Sequence, residues 1–246
     1  MLEKSFIHIP GINLKKEKIL WLNNILHWND YLKNHNKSQI NIENSELIRN
    51  HIKTSIIAYQ GNNITYFLKN LPNNQHWRIY NNFKCCFLDI ETTGLSRKNN
   101  EITMVGIYNG QKSKVFINGI NMDKLEEELS KYDTLITFNG KCFDVPFMKE
   151  KFPNLNLNKF HIDLRYVMKE LGYSGGLKKI EKDLDIYRDK EIGDITGFEA
   201  VKLWYRYQEG DKSSLGKLVK YNIADVENLK IMMDFAFKEM KKKYFS

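Results

Sequence analysis

Four carboxylates and one phenol stand out by type and spacing. Asp89 and Glu91 lie two residues apart in the segment CCFLDIETTG. Along a strand, residues i and i+2 point the same way, so both acids project from one face. Two like charges so placed repel, and burying them costs further free energy unless a cation sits between them. Oxygen ligands of this kind suit hard divalent cations such as Mg²⁺ or Mn²⁺. The competing reading is a strand that ends in solvated acids. Asp144 follows the strand-like DTLITFNG, near the start of the helix-like DVPFMKEKF, where a lone Asp most often serves as a helix cap. Tyr221 and Asp225 are i and i+4 on a helix, so hydroxyl and carboxylate share a face.

These side chains need a scaffold. The apolar run that precedes Asp89 predicts a central strand buried on both faces. ITMVGIYNG and KSKVFING read as two strands joined by a turn at Asn109-Gly110. MDKLEEELSKY is a short amphipathic helix, DTLITFNG a strand, DVPFMKEKF a helix and FHIDL a further short strand. From Arg165 onward the pattern is helical, broken at Gly172, at Gly175-Gly176 and around Gly210-Asp211. The succession predicts an α/β domain over residues 83–246, a mixed β-sheet flanked by helices. Residues 1–82 predict a helical N-terminal region. Asn13 caps a helix with Ile19, Leu20, Leu22, Ile25 and Leu26 on one face. A second helix starts near Ser45, with Leu47, Ile48, Ile52, Ile56 and Tyr59 at helical spacing. The tail KEMKKKYFS reads as a solvated helix end.

Composition narrows the function classes. The chain has 246 residues, of which 42% are hydrophobic, enough for a core. No stretch approaches the roughly 18 to 20 apolar residues of a membrane span. The first residues lack the apolar run of a secretion signal, which predicts a cytoplasmic protein. Cys85, Cys86 and Cys142 make no zinc or redox spacing. Lys and Arg number 38 against 30 Asp and Glu, a net charge of +8. Residues 1–82 contribute +5 of it, with ten basic and five acidic side chains. A basic balance favours polyanionic partners, although a lysine-rich solvated surface explains it equally well.

Taken together and in order, the acids resemble the 3′–5′ exonucleases of the DnaQ-like branch of the ribonuclease H-like superfamily. The family pattern has an Asp-x-Glu first motif on a central strand, here Asp89 and Glu91. Its second motif, Asn-x-x-x-x-Asp, matches Asn139 to Asp144. Its third carries the last Asp four residues after a Tyr, here Tyr221 and Asp225; Lys220 excludes the alternative form with His five residues before the Asp. The segments HIPGI, LDIETTGL, HIDLR, GLKKIE and YNIADV are similar to those of the YprB-like subfamily, over almost the whole chain.

The resemblance implies a ribonuclease H-like fold and a metal-dependent 3′–5′ exonuclease of single-stranded nucleic acid, DNA favoured over RNA. Asp89, Glu91, Asp144 and Asp225 would hold two Mg²⁺ or Mn²⁺ ions per site. Tyr221 would orient the attacking water; an unperturbed phenol titrates near pH 10 and makes a poor base. The backbone after the first motif, at Thr92, would hold the terminal nucleotide, with Leu95 wedged against its base and Asn139 positioning the second-motif loop. Asp163 is a rival fourth acid. Lys178, Lys179 and Arg188 suit phosphate contacts or an ordinary helix surface. Two alternatives stay open: an endonuclease or RNase working through the same acids, and a nucleic-acid-binding module without turnover. No protein partner and no membrane association is implied.

Overall fold

The structure, a computed structural model, describes residues 1–34, 45–193 and 195–245. Two compact units divide the chain: Met1–Phe83 together with the chain end from Glu239 onward, and Lys84–Lys238. In the first unit α1 (Leu14–Leu22) opens on Asn13, whose side chain accepts the Lys16 amide at 2.9 Å, the bond that defines an N-cap. It is followed by α2 (Trp28–Asn34), α3 (Ser45–Gln60) and α4 (Ile64–Asn70). The apolar face expected of α1 is corrected by the packing. Leu20 is buried, but Leu22 is 74% exposed and the helix ends before Ile25 and Leu26.

The inward face of α1 carries a charge instead. Glu17 is fully buried and takes two parallel hydrogen bonds from Arg78, at 3.0 and 2.9 Å. The Phe6 and Ile7 amides also donate to it, and Arg78 Nε donates to Gln75 at 2.7 Å. The guanidinium lies 5.3 to 5.9 Å from the ring centroids of Trp21, Trp77, Tyr244 and Phe245. The tail is therefore no solvated helix end. Met240 is buried, and the Phe245 and Trp21 rings are 4.2 Å apart, because aromatic faces around a buried cation offer it a better environment than an apolar wall. Ser246 lies outside the described residues.

The second unit is built on a mixed sheet. Its elements are β1 (Cys85–Thr92), β2 (Ile102–Tyr108), β3 (Ser113–Ile117), α5 (Leu125–Leu129), β4 (Thr134–Thr137), α6 (Asp144–Lys151), β5 (Phe160–Asp163), α7 (Leu164–Glu170), α8 (Leu177–Asp183) and α9 (Gly197–Gln208); α10 (Lys212–Phe245) begins in it. The strand order is β3-β2-β1-β4-β5, antiparallel from β3 to β1 and parallel from β1 to β5. The β2–β3 turn forms where expected. Asn109 accepts the amides of Gln111 and Lys112, and Gly110 takes the positive φ of +91° that a side chain would oppose.

As the middle strand, β1 is covered on both faces. Cys86, Leu88 and Ile90 pack with Val105, Phe147 and Met148 into a core beneath α5 and α6. Across the sheet, Met104 packs with Ala200, Leu203, Trp204, Leu218 and Tyr221 of α9 and α10. Truncating Phe147 in that first core would cost about 3–5 kcal/mol. The alternation along β1 turns Asp89 and Glu91 to one face, as the sequence predicts, and the structure puts α9 and α10 on that face. The expected α/β architecture, a mixed sheet with helices on it, is the observed one.

Candidate active site

Pairing register sets the first two acids. Asp89 stands opposite Gly106 and Glu91 opposite Met104, and the register shifts between Glu91 and Thr92. Gly106 leaves room for Asn222 of α10, whose Nδ2 donates to Asp89 Oδ2 at 3.1 Å. One turn further along α10, Asp225 completes a cluster. Ligand oxygens of Asp89, Glu91 and Asp225 lie within 4.8 Å of one another.

Asp144 arrives from the other side of β1. It is the first residue of α6, not its cap, which corrects the capping alternative. Its Oδ1 accepts the Ile90 amide at 3.2 Å, where β1 has run past its pairing with β4, which ends at Phe87. Pro146 fits this first helical turn because its missing N–H would have no helical partner there. Asp163, the rival acid, has a different task. Its two oxygens accept the amides of Asn139 (2.7 Å), Lys141 (2.9 Å) and Arg165 (3.1 Å), which tie the loop before Asp144 to the end of β5. Asn139 takes a left-handed conformation at φ +64°, which Asn tolerates better than most residues, and its Oδ1 accepts Arg165 Nη1 at 2.6 Å.

An open cleft of about 670 Å³ lies over these acids. Asp89, Glu91, Asp144, Asp225 and Tyr221 line it, together with Thr92, Leu95 and Asn139. These eight residues thus border one cavity, as do Lys178 and Lys179, whereas Asp163 and Arg188 do not. Leu95 is 86% exposed, while Thr92 is buried and its hydroxyl donates to the Gly94 carbonyl at 2.8 Å. Gly94 lacks a side chain where Asn100 packs, since a Cβ would come within 2.8 Å of Asn100 Oδ1. Phe143 and Phe198 add apolar wall.

The electrostatics are those of a site short of positive charge. Burial, then the charges of Asp225, Asp144 and Glu91, push the Asp89 carboxyl well above the usual carboxylate range. Glu91 is raised for the same reasons, against the opposing pull of Arg188 and Lys178. Burial lifts Asp144 to about 7 despite the Ile90 amide, and lifts Asp225 to about 6 despite Arg188. Tyr221 is pushed above its ordinary value near 10, first by burial and then by Asp225, Glu91 and Asp89, so its phenol stays protonated. Carboxylate oxygens alone, crowded and undercompensated, fit a hard divalent cation.

Sequence reasoning missed Asn222, Gly106 and the pair Glu181–Arg188. Arg188 is no helix-surface residue; it is buried and donates to Asp225 at 2.5 Å. Asn222 carried a readable signal, an amide between Tyr221 and Asp225 on the same helix. Lys178 bonds the carbonyls of Gly193 and Ile195, and Lys179 pairs with Asp183.

Comparison with known proteins gives the chain its family. An uncharacterized protein of Methanocaldococcus jannaschii is 27% identical over 168 residues, covering 60% of this chain and 94% of that one. Among solved structures, the family B DNA polymerase of Pyrobaculum calidifontis aligns over 65% of this chain with a TM-score of 0.48 and 15% identity; the chain spans only 24% of that polymerase. NrnC of Brucella melitensis, in a structure with bound Mg²⁺, aligns over 72% of this chain and 81% of its own, with a TM-score of 0.46 and 19% identity. The family profile described as the RNase H superfamily matches residues 86–237, more than half of the sequence. The chain belongs to the RNase H superfamily.

Proposed function

We propose that the protein is a metal-dependent 3′–5′ exonuclease that hydrolyses phosphodiester bonds of single-stranded nucleic acid, DNA favoured, and that it belongs to the YprB-like group within its superfamily. One observation carries the reading: four acids from three separate segments of the chain converge on the floor of one open cleft. The subgroup rests on the segments LDIETTGL, HIDLR, GLKKIE and YNIADV. We assign the activity to the α/β part of the chain, in the cytoplasm, and leave residues 1–82 as a helical appendage.

In this reading Asp89, Glu91, Asp144 and Asp225 hold two Mg²⁺ or Mn²⁺ ions. Ions so held would supply an activated water at neutral pH and would stabilise the charge that develops on the leaving 3′ oxygen. The chain's own groups do the rest. Asn222 and the Ile90 amide fix Asp89 and Asp144 before substrate arrives. Tyr221 keeps its proton, so it donates a hydrogen bond and orients the attacking water without acting as base. Thr92 and Leu95 hold the terminal nucleotide, the exposed Leu95 side chain lying against its base. Asn139 shapes the loop that carries Asp144. The apolar walls suit bases, and the acidic floor, once loaded with divalent cations, would suit a phosphate.

Digestion of matched single-stranded DNA and RNA oligonucleotides, labelled at the 5′ end, tests the proposal. Mn²⁺, Mg²⁺ and EDTA are compared, with Asp89→Ala run alongside. A metal-dependent ladder that shortens from the 3′ end and is absent in the variant is the expected result. Internal cuts would favour an endonuclease on the same acids. Binding of intact oligonucleotide without cleavage under either metal would make the protein a binding module.

A further inference from the structure

Arg188 belongs neither to the acid set nor to the cleft wall. It follows α8, and its side chain is 5% exposed. Nε and Nη2 form a fork on Glu181, at 2.8 and 2.6 Å, and Nη2 also reaches Asp225 Oδ1 at 2.5 Å. Glu181, itself buried, receives a further bond from Asn228 of α10 at 3.0 Å. The guanidinium carbon lies 5.5 Å from the centroid of the Tyr221 ring. Nη1 is sealed from solvent and makes no hydrogen bond among the described residues.

Stability alone explains this cluster poorly. A buried ion pair loses in desolvation much of what it gains in attraction, and apolar residues of similar volume often do as well. The bare Nη1 adds the cost of an unmet donor. One carboxylate would already neutralise one guanidinium. The second contact, to Asp225, is therefore surplus to charge balance, and it falls on a member of the acid cluster. It also comes from a planar fork whose orientation Glu181 fixes, so Asp225 is gripped from a rigid point. The same cation separates Asp225 from Glu181, which would otherwise face it as like charges.

We propose that Arg188, braced by Glu181, is a positioning residue that holds the Asp225 carboxylate toward Asp89 and Glu91 and so sets the affinity of the site for divalent cations. This rests on the metal-dependent reading above and adds a residue outside the family's acidic motifs. Arg188 has no place in the cleft lining, so it acts through Asp225 and not on the nucleic acid.

Mn²⁺ binding to the 246-residue chain without substrate, followed by the paramagnetic resonance of the free ion, tests this. Wild type is compared with Asp89→Ala, Arg188→Met and Arg188→Lys. Loss of a partner that orients a metal ligand typically weakens affinity about 10- to 100-fold, and that is the result expected for Arg188→Met. Arg188→Lys keeps the charge and loses the fork; it should fall between Arg188→Met and wild type. In kinetics on oligonucleotide, kcat at a fixed subsaturating metal concentration should drop while the KM for oligonucleotide is unchanged. Mn²⁺ affinity at or above wild type in both Arg188 variants would overturn the proposal, since mere removal of a nearby positive charge predicts tighter binding. If Arg188→Met does not fold, Arg188→Lys decides alone. Equal Mn²⁺ binding by wild type and Asp89→Ala would instead refute the metal site itself.

Discussion

Asn222 occupies the space that Gly106 leaves by having no side chain. A Cβ on Gly106 would lie 2.8 Å from Asn222 Cγ and nearer still to its Oδ1. Gly106 is also the residue paired with Asp89 across β1 and β2, and Asn222 holds Asp89 by its carboxylate. One missing methyl group thus connects the sheet, α10 and the first acid.

Gly106→Ala should therefore damage the site and the fold together. Overpacking of this kind costs about 1–3 kcal/mol. Asn222→Ala relieves the clash, so the double variant should unfold at a higher urea concentration than Gly106→Ala alone, by a coupling of about 0.5–3 kcal/mol. Nuclease activity should not return in the double variant, because Asp89 is still unheld. Additive urea midpoints would show that the two residues do not share this space.

The metal-free protein should lose stability as pH rises. Asp144 and Asp225 titrate near 7 and 6 in the folded protein, whereas an unfolded aspartate titrates near 3.9. Between these values the folded state holds protons that the unfolded chain has released. Stability from these groups is full below about pH 4 and lost as pH climbs through about 6 to 7. Urea midpoints in EDTA should fall across that window, and Mg²⁺ or Mn²⁺ should restore them by binding the native state. Asp89→Asn should remove most of the nuclease activity, because it takes a charged oxygen ligand from the cation site. A midpoint that rises with pH in EDTA would contradict the sign.

Tyr221→Phe separates an orienting phenol from a basic one. With the phenol raised above its ordinary value, it stays protonated throughout the working range. The variant should lose about 10²-fold in kcat, the scale of one well-placed hydrogen bond at a reacting centre. The shape of the pH–rate profile between about pH 6 and 9 should not change. Disappearance of one limb of that profile would mean that the phenol titrates in catalysis.

The N-terminal unit rests on Arg78 and Glu17, both fully buried. Arg78→Met leaves Glu17 as an uncompensated buried charge, at a cost of about 3–5 kcal/mol. The urea transition should move accordingly, and the double change Arg78→Met with Glu17→Leu should recover most of the loss. Failure of the double variant to recover would point to the ring contacts of Arg78 as its main contribution.

What the sequence determined by itself is local. A period of two along β1 turns Asp89 and Glu91 to one side whatever packs there, and Asn13 caps α1 because the bond closes within three residues. The succession of strands and a crossover helix announced a mixed sheet flanked by helices, while the strand order β3-β2-β1-β4-β5 came from the tertiary structure. The tertiary structure alone decided the contacts between distant segments. Asn222 and Asp89 are 133 residues apart, and Arg188 and Asp225 are 37 apart. Glu17 reads as a surface residue on an amphipathic helix until Arg78 is seen beside it. Hydrophobic periodicity marks which positions are apolar, but a buried charge obeys a different rule. It is inside because its partner is, and no pattern around either residue encodes where the other will be.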